Sequence, residues 1–448
     1  MTTYSKTLFS LLFTLIATCA VAQNGVNSPY TRYGFGQLSD QITTANRGMA
    51  GISYGLRNKL INVGNPASYS AVDSITFLFD TGISLQNANF SSGDVKINAK
   101  NSSLDYIAMQ FRLYRKLGLT IGLLPFSNIK YSFSDDGKKV PGSDTSEGST
   151  NNIYSYESFN GDGGLHQIFV GAGAELFKNF SIGANFSYLY GDYSHIITNS
   201  YNNTNIWKNT RSYTADISTY KLDFGIQYTF EPKPKHEITV GAVYSLGHNI
   251  GNKAYKTQDI SYYNSSVALQ SSSDTINNSF ELPHTFGVGL TYVYDNRLTI
   301  GLDYTLQQWS GMKFPHFQTN PNSPDDTNNS EQDYEQWKFK NLSRISLGAE
   351  YIPNPMSRKF FNRMCYRMGA YYSTPYIQVK GCDMREFGIE GGVGIPIINR
   401  YNNRSLLSIS AQYVNVSPKS GNLIKENYLR INIGFTFNED WFRKMLVQ

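Results

Sequence analysis

Charge is in short supply. Asp, Glu, Lys and Arg make up 16% of the 448 residues, where soluble domains carry roughly 25%. Part of the surface therefore meets something other than water. Long apolar runs are missing too: beyond position 22 nothing approaches the ~18 apolar residues of a membrane helix, and the mean hydropathy is negative. Helical membrane proteins are excluded. The three cysteines, Cys19, Cys365 and Cys382, are too few for a disulfide scaffold. After loss of a leader only Cys365 and Cys382 remain, placed toward opposite ends of one strand and its following loop, and they read as unpaired. The net charge of +5, or +4 without Lys6 (38 basic against 34 acidic), steers nothing. No basic stripe interleaves with stacking aromatics, so nucleic acid is not an expected partner.

Catalytic constellations are absent as well. His166, His195, His236, His248, His284 and His316 are scattered without zinc-site spacing, and there is no nucleophile elbow, P-loop or dinucleotide fingerprint. Asp135-Asp136-Gly137 and the stretch 320–330, with Asp325 and Asp326, lack a full calcium loop and read as solvated. No catalytic residue, metal or cofactor is assigned, and the chain reads as a non-enzyme.

What the chain has in quantity is 33 Tyr, 27 Phe and 38 Gly. They fall into segments of period-two hydrophobicity separated by polar stretches. Phe286, Val288, Leu290 and Tyr292 alternate with Thr285, Gly287, Gly289 and Thr291; Leu298, Ile300, Leu302, Tyr304 and Leu306 alternate with Thr299, Gly301, Asp303 and Thr305. Large apolar residues on one face and Gly or polar residues on the other make a barrel-wall pattern. Strands are predicted at 74–90, 102–114, 117–133, 165–177, 180–197, 212–230, 237–247, 281–293, 298–312, 337–352, 364–376, 384–396, 405–416 and 426–437. Fourteen is an even number, as in bacterial outer-membrane barrels. Short connections (114–116, 178–179, 231–236, 294–297, 399–404), with 353–363 somewhat longer, interleave with long ones (134–164, 198–211, 248–280, 313–336). Short turns belong on the periplasmic side, which predicts an outer-membrane location with both mature ends in the periplasm. Tyr188, Tyr190, Tyr228, Phe230, Tyr371 and Tyr372 near strand ends read as interfacial girdles.

The ends complete the organisation. Lys6, an apolar core at 8–17 and Ala20-Val21-Ala22 read as a cleaved export signal at 1–22. Thr18 before Cys19 fits a lipobox badly. Residues 23–73 do not alternate and are set apart as a plug, or hatch, ahead of a barrel at 74–437. A short periplasmic tail follows at 438–448, with Trp441 and Phe442 as interfacial anchors or partner contacts. The expected fold is all-β: a transmembrane antiparallel up-and-down barrel of about 14 strands, its lumen plugged by an N-terminal hatch.

The segment 23–73 carries Gly48-Met49-Ala50 and, immediately before the first strand, Asn65-Pro66-Ala67. In that order and place they resemble the FadL-like outer-membrane transport proteins, whose hatch carries Gly-x-Ala and Asn-Pro-Ala and leads into a fourteen-stranded barrel. The resemblance spans essentially the whole mature chain, though outside the hatch it rests on architecture. It implies a hatch at Gly48, Ala50, Asn65, Pro66 and Ala67 closing the pore. It also implies passive uptake of hydrophobic, fatty-acid-like small molecules, without a cofactor. Pro125, inside the third predicted strand, cannot donate to a ladder and marks a bulge or opening. The family carries a kink there that opens the wall sideways, which implies a lateral opening at Gly122, Pro125 and Phe126. Asp303, Arg344, Glu350, Glu175, Glu390 and Arg430 face the lumen by parity. The expected partners are outer-membrane lipid and a hydrophobic small molecule. The alternative is a non-transporting subunit of a larger outer-membrane machine, for protein secretion or barrel assembly. The family includes such recruits in the Bacteroidota, and their partners would be other outer-membrane or periplasmic proteins.

Overall fold

The computed structural model describes residues 27–74, 76–140, 152–265, 267–277, 280–315, 339–379, 381–397, 405–421 and 423–440. The expected leader with Lys6 and Cys19, His316, the stretch 320–330, and Trp441 and Phe442 lie outside them.

Fourteen antiparallel strands form the wall. They are β1 (Thr76–Ser92), β2 (Val95–Tyr114), β3 (Leu117–Ser134), β4 (Tyr154–Phe177), β5 (Phe180–Tyr201), β6 (Lys208–Lys233) and β7 (His236–Ser245). The second half adds β8 (Thr285–Tyr294), β9 (Leu298–Gln307), β10 (Leu342–Tyr351), β11 (Cys365–Thr374), β12 (Cys382–Ile397), β13 (Ser405–Pro418) and β14 (Lys425–Asp440). Each pairs with the next, and β14 pairs with β1 from Thr76↔Asp440 to Ser91↔Lys425, which closes the barrel. Closure leaves no outer edge strand, the condition for a sheet to sit in lipid.

The alternation in the sequence is the orientation of this wall. On β8 and β9, Phe286, Val288, Leu290, Ile300, Leu302 and Tyr304 point outward, while Gly287, Gly289, Thr291, Gly301 and Asp303 are buried inside. Apolar outside and polar or small inside is the reverse of a soluble barrel. No helix among the described residues is long and apolar enough to cross a membrane.

The short turns are tight. Asp295 (φ 50°) and Asn296 (φ 52°), both left-handed, lead the three-residue turn 295–297 that joins β8 to β9, where the Arg297 N–H donates to the Tyr294 carbonyl (2.9 Å). The opposite end departs from the sequence reading. Much of the expected loop at 134–164 is strand, because β4 begins at Tyr154, and β5 and β6 run on through 198–211. The expected loop at 248–280 holds a hairpin, Lys253–Ser261 with Ala268–Asn277, added to the edge of β6. These strands alternate in Ser, Thr and Asn rather than Leu and Phe, so hydrophobic periodicity does not reveal them. β2 likewise begins at Val95 rather than 102, and β14 runs past Phe437 to Asp440.

Cys365 and Cys382 open two consecutive strands and are free. Tyr188, Tyr228, Phe230 and Tyr372 are exposed on the outer wall, whereas Tyr371 is a correction: it is buried inside, its ring 3.8 Å from the Arg344 guanidinium. Adjacent strand residues take opposite faces, so Tyr371 and Tyr372 cannot both join a girdle.

The outward face generates a prediction. Leu302→Lys places a charge in mid-wall and should cost about 2–4 kcal/mol, read as a lower denaturant midpoint for the barrel refolded in vesicles. An unchanged midpoint would mean that this face does not contact hydrocarbon.

Candidate functional site

The wall is interrupted where proline removes a ladder donor. β3 pairs with β2 only from Tyr114↔Leu117 to Ile107↔Leu123, so Gly122, opposite Ala108, lies one rung before the ladder stops. β3 nevertheless continues to Ser134 against β4, with the register slipping between Pro125↔His166 and Ser127↔Leu165. Phe126 is the extra residue of this bulge, and it packs against the buried aromatic cluster. Across from it, Gly163 (φ 123°) and Gly164 (φ 147°) take a backbone form that a β-carbon disfavours, so the irregularity of β3 is met by one in β4. Above this line β2 and β3 part, leaving a gap in the ladder.

Residues 28–41 occupy that gap. Gln37–Leu38 pairs antiparallel with Asn128 and Ser127 of β3. The Ser39 N–H donates to the Phe126 carbonyl (2.9 Å) and Gln41 Nε2 to the Pro125 carbonyl (2.8 Å). Thr31 Oγ1 both donates to the Lys130 carbonyl and accepts from its N–H, each at 3.2 Å. Toward β2, Asn27 donates to Asn101 Oδ1 (2.9 Å) and Arg47 to Asp105 Oδ2 (2.6 Å). The segment thus takes the place along β3 that β2 has vacated.

Residues 42–74 fill the lumen toward the short turns, lying directly on glycines of the wall. A β-carbon at Gly118, Gly183, Gly241 or Gly348 would fall under 3.0 Å from backbone atoms of Tyr69, Pro66, Tyr54 and Met49 respectively. These glycines sit on four different strands, and any side chain there would push the segment inward. Asn65 caps the 3-10 turn Pro66–Ala71 by accepting from the Ala67 N–H (3.1 Å), and its Nδ2 donates to the carbonyls of Tyr54 (2.7 Å) and Ile226 on β6 (3.2 Å). Ala67 is fully buried. Gly48 follows the single helical turn Thr44–Arg47 and lies against Arg367. Ala50, buried at φ 56°, directs its carbonyl toward Arg344 Nη2 (3.4 Å).

Charge holds the segment in place. Arg47 Nη1 also donates to Asn432 Oδ1 (2.9 Å). Burial works against its charge, but Asp105, Asp40 and Glu390 outweigh that and raise its pKa. Arg344 meets Asp40 at 2.6 Å. Burial opposes the Asp40 carboxylate, yet Arg344, Arg47 and Arg430 more than offset it and hold that carboxyl below the usual range. Asp303 Oδ2 accepts from the Ser53 N–H (2.7 Å) and the Tyr54 N–H (3.0 Å). Glu175 pairs with Arg57 and Lys116, Glu350 with Arg367, Glu390 accepts from Gln412, and Arg430 donates to Gln86. All six luminal charges read from parity therefore face inward. Arg47, Asp105 and Arg367 were missed; parity on β11 would have found Arg367, whereas Asp105 is the unpaired residue of a bulge in β2, and parity with the inward Tyr106, Ala108 and Gln110 turns it outward.

Toward the long-loop end aromatic side chains pack together. Phe35, Phe280, Trp309, Phe314 and Tyr376 form one buried cluster, with Phe35–Phe314 centroids at 5.4 Å and Trp309–Tyr376 at 4.4 Å. Between this cluster and the segment lies a cavity of about 300 Å3 lined by Phe126, Phe169, Trp309, Lys221, Asp303, Arg344 and Glu386 among others. A smaller space of about 90 Å3 sits at the wall gap, bounded by Asp40, Arg47, Asn101, Ser103, Asp105, Pro125 and Arg430. Among the described residues no cluster of His, Cys, Asp and Glu could hold a metal ion.

A family model named BamG matches residues 4–447. No curated protein matches. Solved structures share the architecture at low identity. The CymD monoaromatic hydrocarbon channel is 13% identical, with 92% of this chain and 100% of that chain covered and a TM-score of 0.54. The Ralstonia pickettii toluene transporter TbuX is 12% identical (89% and 98% covered, TM-score 0.52). A Pseudomonas aeruginosa FadL homologue is 11% identical (90% and 99% covered, TM-score 0.55). The fold is FadL-like, and these neighbours are channels rather than enzymes.

Two predictions follow from the contacts of the luminal segment. Asp303→Ala leaves two buried N–H groups without an acceptor, at about 1–3 kcal/mol each. Limited proteolysis of the folded barrel should then cut near 51–57, where the wild type resists; equal resistance would show that Asp303 does not hold the segment. Asp40, with its depressed pKa, contributes stability above the unfolded-chain value of about 4. That contribution disappears as pH falls through the lower folded value. The difference in unfolding midpoint between wild type and Asp40→Asn should therefore be full at pH 7 and vanish in strong acid.

Proposed function

The chain belongs to the BamG family, and from that membership we propose that it is a FadL-like barrel serving as a non-transporting subunit of a larger outer-membrane machine. The Bam designation of the family points to the assembly of barrel proteins as that machine's task. The observation that carries this reading is the charged boundary of the wall gap, beside a lumen occupied by residues 42–74. An apolar solute needs a continuous apolar path from the long loops to the wall. Here the aromatic cluster joins Phe35 of the luminal segment to Trp309, Phe314 and Tyr376 toward the long-loop end. The space at the wall gap is bounded by Asp40, Arg47, Asp105 and Arg430. Passing hydrocarbon through it would strip water or partners from charged groups, at several kcal/mol. The long-loop strands beyond the wall and the outer wall itself provide contact surface for neighbouring proteins. The short turns face the periplasm in this reading, and both ends of the mature chain lie there.

A second reading follows the structural neighbours, a monoaromatic hydrocarbon channel and a toluene transporter: passive uptake of a hydrophobic small molecule. The interruption of β3 at Pro125, and the Phe126, Phe169 and Trp309 lining of the larger cavity, favour it. In it Gly122, Pro125 and Phe126 border a lateral exit, and the segment holding Gly48, Ala50, Asn65, Pro66 and Ala67 is the hatch.

The two separate in one purification. Native protein extracted in mild detergent should pass size exclusion with stoichiometric outer-membrane or periplasmic proteins. Pro125→Val should leave both this complex and the uptake of toluene or fatty acid by cells unchanged. A monomer carrying a lipophile, with uptake lost in Pro125→Val, would overturn the subunit reading in favour of transport.

A further inference from the structure

The connection between β10 and β11 is unlike the other short turns. It spans 352–364 and ends in the helical turn Phe360–Arg363. Met356 is 91% exposed, Phe361 70% and Phe360 44%. Three cations accompany them, Arg358, Lys359 and Arg363, and the stretch 352–364 contains no Asp or Glu.

Several basic groups at neighbouring turns have acidic partners: Lys116 meets Glu175 at 2.8 Å, Lys235 meets Asp295 at 3.1 Å, and Arg297 meets Asp295 at 3.5 Å, while single cations at other turns, such as Lys178, stand alone among the described residues. Among the described residues no carboxylate pairs with Arg358, Lys359 or Arg363.

The exposed tip is held by its own hydrogen bonds. The Asn354 N–H donates to the Asn362 carbonyl (2.7 Å), the Ser357 N–H to the Asn354 carbonyl (3.1 Å), and the Lys359 N–H to Ser357 Oγ (3.1 Å). Its direction is set by the wall. Tyr366, outward-facing near the start of β11, donates through its hydroxyl to the Phe361 carbonyl (3.1 Å). Exposed Tyr351 and Met368 continue the same outer face. The tip therefore extends the lipid-facing wall and does not fold over the lumen.

We propose that this connection is a lipid anchor that binds phosphate-bearing anionic phospholipid headgroups in the leaflet at the short-turn end. Phe360, Phe361 and Met356 enter the boundary between headgroups and acyl chains, where aromatic residues partition. Arg358, Lys359 and Arg363 meet the phosphates. Two aromatics with three uncompensated cations at the level of the bilayer surface match an anionic interface on both counts. The proposal rests on the membrane-spanning barrel and is independent of whether the barrel transports or assembles.

The test uses the full-length protein in nanodiscs containing phosphatidylglycerol and phosphatidylcholine, with native mass spectrometry of the lipids retained after extraction. Wild type should retain phosphatidylglycerol preferentially. The triple variant Arg358→Gln, Lys359→Gln, Arg363→Gln should lose about tenfold of that preference, with heat-modifiable migration of the barrel unchanged. Phe360→Ser with Phe361→Ser should weaken retention of the same lipid. Inorganic phosphate should not compete, because the aromatic half of the site needs an acyl boundary. A benzophenone side chain at position 361 in native membranes should crosslink to lipid. An unaltered preference in the triple variant, displacement by inorganic phosphate, or a dominant protein adduct at 361 would each overturn the assignment.

Discussion

A strand edge inside a bilayer has nowhere to send its N–H and C=O groups, since hydrocarbon accepts no hydrogen bonds. That constraint organises this molecule. It demands closure, which the β14–β1 ladder provides over the full length of both strands. It also makes Pro125 consequential. A residue without an N–H in the third strand stops the β2–β3 ladder and exposes the upper part of β3. Residues 28–41 then act as a replacement strand, with Thr31, Gln37, Leu38, Ser39 and Gln41 bonding along 125–130. The luminal segment is part of the wall's own hydrogen-bond account, and its position follows from the defect it repairs.

Glycine supplies the second half of the arrangement. The segment runs as backbone against backbone on the wall, and only residues without a β-carbon permit that approach. The polar network then orients it: Arg47 to Asp105 and Asn432, Asp40 to Arg344, Ser53 and Tyr54 to Asp303. Arg47, Asp40, Asp303, Arg344, Glu175 and Arg367 each have a partner in the segment or across a neighbouring strand, as buried charges require. A lumen packed in this way suits a barrel whose function lies on its outside. The fold it shares with hydrocarbon channels is a scaffold that accommodates either use.

The anchor proposed at Phe360–Arg363 follows the same division between inside and outside. Inside, Arg47, Arg344, Arg367 and Arg430 are each matched by a carboxylate or amide. At this turn three cations and two aromatics are gathered for an external phase to satisfy.

Much of the architecture is legible in the sequence because a strand in a barrel wall faces two different solvents. Phe286-Gly287-Val288-Gly289-Leu290 states hydrocarbon and lumen in alternate letters, so strand count, closure and the inward direction of Asp303 or Arg344 can be read locally. Strands beyond the bilayer face water on both sides, so Ser271 and Ser273 carry no such signal, and the 253–277 hairpin reads as loop. Pro125 announces an interruption by its chemistry, and Tyr371 misleads because a girdle and a luminal ring differ by one step of parity. Which strand loses its partner, that residues 28–41 replace it, and that Arg47 meets Asp105 across 58 positions were decided by the tertiary structure alone. Those contacts join residues far apart in the chain, and no local pattern of hydrophobicity records which distant groups a closed barrel brings together.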